Sequence, residues 1–336
     1  MATWNKHVAI GKPVGVGKGI GKGMKTAFLD NQRALAVLED MQFPEIEWFV
    51  DNMFDRMIEC GISEQNGAGV AAALAAEGFV PVINNFLFAG MSRAYNQIRQ
   101  SILVDRFNVK FIAREGVWGE VGVSHATVEG WGSLRVLPNL VMINPADSVE
   151  AEKASVAMMQ YVGPAVIKQE MSPDPVSIFT EDYPFNIGKA YSLRDGKDAT
   201  IIATGYMVTE AVKAVDLLEK EGLDVGVLNM STLKPLDEEA VIAAAERTGA
   251  IVTAENSSDI NGLGDAVACC LCENLPTPLI KVGVEDEFGQ SGLITDEKDE
   301  LMEHFALSAA DVAVSVKECI AKKERLLKQG LQRGGS

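Results

Sequence analysis

No stretch of this chain approaches the roughly 20 consecutive apolar residues needed to cross a bilayer. The N-terminus carries no hydrophobic core of a secretory signal. Neither a membrane-spanning nor a secreted protein is therefore expected. Basic residues are scarce: 30 Lys and Arg face 47 Asp and Glu, for a net charge of −17. A surface of that sign repels phosphate, so no nucleic acid and no anionic membrane is an expected partner. Cysteine is sparse as well. Its five copies, Cys60, Cys269, Cys270, Cys272 and Cys319, are odd in number and three share one predicted helix, which is no disulfide framework. The run Cys269-Cys270-Leu271-Cys272 has no further Cys or His nearby in sequence to complete a metal site. These read as buried reduced thiols, with the cytoplasm as the expected location. Histidine is scarcest of all: His7, His125 and His304 are the only three.

What is present is an ordinary globular composition, 47% hydrophobic and 23% charged over 336 residues, enough for two domains. Near the start, Gly11, Gly15, Gly17, Gly19, Gly21 and Gly23 interleave with Lys12, Lys18, Lys22 and Lys25. Backbone amides of a Gly-rich loop with Lys can cradle phosphate. Yet no Gly-Lys pair precedes Ser or Thr at Walker spacing, and no Gly-x-Gly-x-x-Gly follows a strand. Residues 1–25 therefore read as a flexible, mildly basic arm that could cover a partner subunit or a substrate entrance.

From residue 26 the pattern becomes helical, then alternates. Strands are expected at 79–86, 109–113, 140–144 and 165–168, with helices at 64–77, 89–102, 125–136 and 148–161. Such alternation implies a parallel sheet covered on both faces. The stretch 171–184 is rich in Pro, Asp and Ser, as a linker would be. A second, smaller α/β unit follows, with strands at 198–204, 224–230, 250–255 and 280–284. Its first helix places Val208, Ala211, Val212, Val215 and Leu218 on one face. A charged helical tail covers 317–332, and Gly334-Gly335-Ser336 reads as disordered.

The segment Cys60-Gly61-Ile62-Ser63-Glu64-Gln65-Asn66, with the small-residue run 67–78 behind it, sets one carboxylate at the mouth of a helix. Glu64 in a first turn suits the partial positive charge there. If buried, it would have raised proton affinity and could exchange a proton with a ligand nitrogen. The plainer reading is a capping carboxylate on an ordinary core helix, and the segment alone leaves both open.

Its surroundings decide. Gly61-Ile-Ser-Glu-Gln-Asn, Arg93-Ala-Tyr-Asn-Gln-Ile-Arg99, Leu137-Pro-Asn-Leu, Asn144-Pro-Ala-Asp147, Ala203-Thr-Gly205, Leu233-Lys-Pro-Leu-Asp237 and Gly262-Leu-Gly264 occur in that order. Together they resemble the C-terminal half of transketolase, its pyrimidine-binding domain followed by its C-terminal domain. The resemblance runs from about residue 57 to about residue 317, and the first 50 residues match poorly. It implies an α/β fold of two parallel or mostly parallel domains, 26–172 and 188–325, joined by a linker at 173–187 and followed by a tail at 326–336.

The resemblance also assigns roles. Glu64 matches the residue that hydrogen-bonds the aminopyrimidine of thiamine diphosphate and helps it reach its imino form. Proton traffic to a ring nitrogen needs a carboxylic acid held away from water, while the carbanion chemistry is the cofactor's. Phe86 matches the aromatic that stacks on the pyrimidine, with Phe88 second. Arg93, Tyr95, Gln97 and Arg99, all ranked below Phe86, lie on a helix that in relatives borders cofactor and subunit contact. His125, in Gly119-Glu-Val-Gly-Val-Ser-His125, matches a His that faces substrate and can serve a hydroxyl or oxyanion.

Departures are informative. Val121 replaces an Asp that contacts a sugar hydroxyl, Met171 an Arg that grips sugar phosphate, and Ser257 a His. The loop from Ala113 to His125 is shorter than in transketolase proper, matches deoxyxylulose-phosphate synthase in length, and lacks an early His. A Met supplies no bidentate guanidinium, so a phosphorylated substrate would need charge from Lys168 or from the partner. No Gly-Asp-Gly…Asn metal motif occurs. Mg2+ and the diphosphate would then be bound by a separate chain carrying the N-terminal half, in an α2β2 heterotetramer acting on small sugars. The expected activity is transfer of a two-carbon ketol unit from a ketose to an aldehyde, on a sugar bearing another group in place of terminal phosphate. The alternatives are the β-subunit of a 2-oxo acid dehydrogenase and a non-catalytic scaffold subunit.

Overall fold

The computed structural model describes residues 3–41, 43–117, 122–289 and 299–333. Val121 and Gly334-Gly335-Ser336 lie outside them. The first half runs Val16–Asp30 (α1), Ala34–Leu38 (β1), Ile46–Met53 (α2), Met57–Glu59 (β2), Glu64–Ala76 (α3) and Val80–Phe86 (β3). It continues with Tyr95–Gln97 (α4), Lys110–Glu115 (β4), Gly130–Arg135 (α5), Val141–Ile143 (β5), Ser148–Gln160 (α6) and Ala165–Glu170 (β6). The second half contains Tyr191–Arg194 (β7), Ala199–Ala203 (β8), Met207–Lys220 (α7), Val225–Asn229 (β9), Thr232–Lys234 (β10) and Glu238–Thr248 (α8). Ile251–Ser258 (β11), Leu263–Asn274 (α9), Leu279–Val284 (β12), Asp299–His304 (α10) and Ala309–Arg333 (α11) complete it.

The strands form two mostly parallel sheets, ordered β10-β5-β6-β4-β3-β1-β2 and β12-β11-β8-β9-β7. Their central members are short apolar runs buried on both faces, as parallel strands between helices must be. That property hides β1 in the sequence. Ala34-Leu-Ala-Val-Leu is too short and too evenly apolar for periodicity to separate strand from helix, so the helical expectation there is corrected to a strand. The strand β10 belongs in sequence to the second unit but pairs antiparallel with β5 of the first sheet. The helix expected over 89–102 forms irregularly, wound as π-helix at Leu87–Ser92 and Ile98–Leu103 on either side of α4. That over 125–136 is reduced to α5, because His125 and Ala126 both donate their N–H to Gly122 O in a tight turn.

The N-terminal arm is corrected outright, since α1 is a helix packed on α6. A Cβ on Gly19 would lie 2.0 Å from Ser148 O, and one on Gly23 2.4 Å from Glu152 O. Glycines four apart share one helix face, and only residues without a side chain let two backbones approach so closely. The other stripe of α1, Val16, Ile20, Met24, Ala27 and Phe28, is buried. Lys22 and Lys25 make outward pairs with Glu152 at 3.7 Å and Glu45 at 2.6 Å. Upstream, Val8 and Pro13 bridge to Phe179 and Val176, so the segment expected to be a plain linker is laced to the start of the chain.

Several of these motifs fasten one element to another, some of them across the two halves. Asn144 donates Nδ2–H to Glu170 Oε1 at 2.8 Å, and the Tyr206 N–H donates to the other oxygen of that carboxylate at 2.6 Å. Gly205, at φ +57°, turns where a Cβ would meet Glu170 Oε1 at 2.3 Å. Asp147 caps α6 by accepting from Glu150 N at 2.8 Å, and also accepts from Ile178 N and Phe179 N. Lys234 donates to Arg135 O at 2.9 Å, joining β10 to the end of α5. Glu255 accepts from Leu263 N and Gly264 N, both at 2.8 Å, at the start of α9. Of the thiols, Cys270 and Cys319 are buried, whereas Cys269 and Cys272 are exposed, correcting the expectation that all are buried.

Glu150 is the deepest of these fasteners. Fully buried, it accepts from Tyr183 Oη and Asn229 Nδ2, both at 2.8 Å, and from Ala146 N at 2.7 Å. Burial pushes its carboxyl up to about 7. A group so raised favours the fold below its ordinary value and loses that contribution as pH climbs through about 7. The loss amounts to roughly 3 kcal/mol. Turning the Asn229 amide over would let Oδ1, which otherwise lacks a donor, accept from the protonated acid. Glu150→Gln is thus expected to gain on the wild type as pH rises from 5 to 8, by several degrees in Tm. Paired melting curves across that range check it; a pH-independent difference would refute it.

Candidate active site

The predicted residues gather at the carboxyl ends of β1, β2, β3 and β4, where open parallel sheets bind ligands. Glu64 opens α3. Its neighbour Ser63 sends its hydroxyl to Cys60 O at 2.6 Å and does not cap the helix through its side chain. The first turn is therefore left to the carboxylate. The Glu64 side chain is 13% exposed, and Arg93 Nη1 donates to its Oε1 at 3.0 Å. Gln65 Nε2 donates to Arg93 O at 3.1 Å, which fixes the base of that arginine. Arg93, ranked behind Phe86 on sequence, is in direct contact with Glu64.

Behind Glu64 stands a residue that sequence reasoning misses. Glu39, just past β1, is 5% exposed and accepts a hydrogen bond from Asn85 Nδ2. A Cβ at Gly67 would lie 2.0 Å from Glu39 Oε1, and one at Gly90 2.2 Å from Asn85 Cγ. The small-residue run of α3 thus makes room for a second acid. Burial pushes the Glu39 carboxyl up to about 7, against the Asn85 hydrogen bond and with the charges of Glu64 and Glu59 adding to the rise. Glu59 is held by the N–H groups of Asp40 at 3.0 Å and Gly61 at 2.7 Å. Burial, then Glu39 and Glu59, push the Cys60 thiol up. The one signal in sequence is a carboxylate pair, Glu39-Asp40, ending an apolar run.

Phe86 and His125 come together. Their ring centroids are 4.9 Å apart at 79°, and Ser124 Oγ lies 2.9 Å from His125 Nδ1. Both rings are half-buried. The Phe86 N–H donates to Asn85 Oδ1 at 2.7 Å, so one asparagine links the aromatic to Glu39. The side chain of Phe88 lies outside the described residues. Tyr95 donates to Ser133 O at 3.2 Å, a packing role, and Arg99 is exposed.

Lys168 is not available to a substrate anion. It is 0% exposed, 3.4 Å from Glu115 Oε2 and 3.6 Å from Glu170 Oε1, and it donates to Asn256 O at 3.2 Å. Glu115 in turn accepts from Gly130 N at 2.6 Å and Trp131 N at 3.1 Å, anchoring the chain that leaves the His125 turn. Burial pushes Glu115 up to about 7 against the neighbouring Lys168 charge. Ser257 is buried and donates to Glu255 at 3.2 Å.

Comparison with known proteins decides the family. The model of the transketolase pyrimidine binding domain matches residues 12–169, and that of the transketolase C-terminal domain matches 188–312. The chain is 39% identical over 285 residues to the 6-deoxy-6-sulfo-D-fructose transketolase subunit SqwH of Clostridium sp. (strain MSTE9), covering 84% of this chain and 87% of the relative. This chain belongs to the transketolase family. It is also 30% identical over 276 residues to an apulose-4-phosphate transketolase subunit of Phocaeicola vulgatus, covering 82% of this chain and 87% of that one. A solved structure of a split gene transketolase, an inactive beta4 tetramer, superposes with a TM-score of 0.85 at 34% identity, covering 92% of this chain and 99% of that chain. The match to the pyrimidine binding domain begins at residue 12 and so takes in α1. No helix among the described residues is long and apolar enough to cross a membrane.

Proposed function

We propose that this chain is the pyrimidine-side subunit of a split transketolase, moving a two-carbon ketol unit from a ketose to an aldehyde. Its relatives are transketolase subunits, which disfavours the 2-oxo acid dehydrogenase reading. The observation that carries the proposal is Glu64 at the mouth of α3, with half-buried Phe86 at the end of the neighbouring strand β3. A carboxylate at a helix N-terminus and a flat apolar face at the same sheet edge fit an aminopyrimidine. When bound, thiamine diphosphate supplies the nucleophilic carbon of the reaction. Glu64 holds and returns the proton of the pyrimidine nitrogen, and Arg93 fixes the Glu64 side chain. Phe86, seconded by Phe88, offers the stacking surface. His125 faces the substrate and donates to its developing oxyanion.

The half-site is open. Ile62, two residues before Glu64, is 72% exposed, and the Arg93 side chain is 53% exposed. A partner carrying the diphosphate and Mg2+ site would cover both, giving an α2β2 enzyme in the cytoplasm. In keeping with this, the structural relative is an inactive tetramer of the β chain alone. The sugar we favour carries a group other than phosphate, as the first relative's 6-deoxy-6-sulfo-D-fructose does. With Met171 apolar and Lys168 sequestered, the charge that meets such a group would come from the partner. We keep 173–187 as the linker, 188–325 as the second domain and 326–336 as a tail, of which 326–333 is the last part of α11, with α1 moved into the first domain.

The test is turnover by this chain combined with its N-terminal-half partner, offered a ketose phosphate, 6-deoxy-6-sulfo-D-fructose or a 2-oxo acid. Ketose-dependent transfer to an aldehyde is expected, with none from this chain alone. Turnover of the 2-oxo acid instead would overturn the proposal.

A further inference from the structure

We infer that the second domain positions His125 through Asn256, a role that rests on the reading of His125 given above. The chain around His125 is held at its base by β11, an element of the other sheet. Gly116, at φ +152°, donates its N–H to Thr127 O at 3.1 Å and closes the neck of this loop. On one side of the neck, the Val117 N–H donates to Asn256 Oδ1 at 3.1 Å. On the other, the Ser258 N–H donates to Val128 O at 2.8 Å. Alternate residues of β11, Asn256 and Ser258, thus grip both sides of one neck.

Asn256 is 0% exposed, and its side-chain amide and its carbonyl are both committed to the first domain. Its Nδ2 donates to Met171 O at 3.4 Å, and its carbonyl accepts from Lys168 Nζ at 3.2 Å. A Cβ at Gly116 would meet Met171 O at 2.2 Å and Asn256 Nδ2 at 3.0 Å, so the neck is as tight as a glycine permits. Gly289, beyond β12, also lies against the turn: a Cβ there would be 2.6 Å from Ala126 O, the residue after His125. None of these contacts involves Glu64. The second domain, remote in sequence from the predicted chemistry, therefore sets where the imidazole stands while leaving the acid of the pyrimidine site alone. Asn256 is a positioning residue, acting through the backbone of Val117 and Met171.

The test compares wild type, Asn256→Ala, Asn256→Asp and His125→Ala. With three histidines in the chain, the His125 ring resonance is identified by its loss in His125→Ala. Asn256→Ala is expected to shift or broaden that resonance in the full chain. In the complex with the partner it should lower ketose kcat/KM about 10- to 100-fold, the cost of a misplaced group. Hydrogen–deuterium exchange at the thiazolium carbon, which reports on Glu64, should be unchanged. Asn256→Asp retains the acceptor for Val117 and should restore the resonance and part of the rate. An unmoved resonance and unchanged kcat/KM in Asn256→Ala would overturn the inference. Should that variant fail to fold, Asn256→Ser, whose shorter side chain cannot reach the Val117 N–H, puts the same question, with the same two readouts deciding. If His125→Ala itself turns over normally, the assignment of His125 fails instead, and the NMR arm alone judges whether Asn256 holds the loop.

Discussion

Glu64→Gln is expected to slow hydrogen–deuterium exchange at the thiazolium carbon of thiamine diphosphate about 10²- to 10⁴-fold in the two-chain complex, the usual contribution of a positioned proton-transfer group. Turnover should fall with it. The substitution is a clean one. A glutamine keeps an oxygen that can accept from Arg93, which lies 3.0 Å from Glu64 Oε1, and it keeps the shape of the first turn of α3. It removes the ability to hold and release a proton, together with the charge that pairs with the half-exposed Arg93, so assembly should be unchanged and Tm should fall by about 2 °C at most. Three mixtures make the experiment complete: this chain with magnesium and cofactor, the wild-type complex, and the Glu64→Gln complex. Fast exchange in the wild-type complex alone supports Glu64 as the activator. Equal exchange in wild type and variant would transfer the role to another acid, with Glu39, whose proton affinity is raised by burial and in part by the Glu64 charge, the candidate. No acceleration in any mixture that demonstrably assembles would sink the catalytic reading and leave a scaffold.

Glu64, Arg93, Phe86 and His125 can be named from sequence because each lies in a short local motif whose residue types are demanded by the chemistry. Residues placed by tertiary contact are a different matter. The glycines of α1 look like a flexible arm until Ser148 and Glu152, more than 120 residues later, press against them. Local sequence holds no trace of that pairing. Glu39 is missed for a related reason, since its depth comes from Gly67 and Asn85 on two other elements. The motifs Asn144-Pro-Ala-Asp147 and Ala203-Thr-Gly205 are found easily, but the family resemblance says nothing of their work. They fasten β6, α6 and the second sheet together. Periodicity predicts the alternation of strand and helix correctly over most of the chain. It fails at β1, where five buried apolar residues carry no period.

Lys168 separates these two kinds of residue most sharply, because its sequence position invites a substrate role and its surroundings deny one. Lys168→Ala is expected to cost about 3–5 kcal/mol, since it strands the carboxylates of Glu115 and Glu170 in the interior without their cation. For a chain of this size that is a fall in Tm of roughly 5–15 °C. The loss should be smaller at pH 5 than at pH 8. Glu115 is already pushed up to about 7 by burial, so removing the opposing cation drives it further toward the acid form. A group raised in the fold costs nothing below its ordinary value and costs most above its folded one. Replacing all three residues together, Lys168→Met with Glu115→Gln and Glu170→Gln, removes the charges as a set and should recover most of the stability. Calorimetry of the single and triple variants at both pH values decides the matter. A Lys168→Ala protein that melts like wild type but no longer transfers a ketol unit would show the opposite: that this lysine leaves its buried pairs to reach a substrate anion.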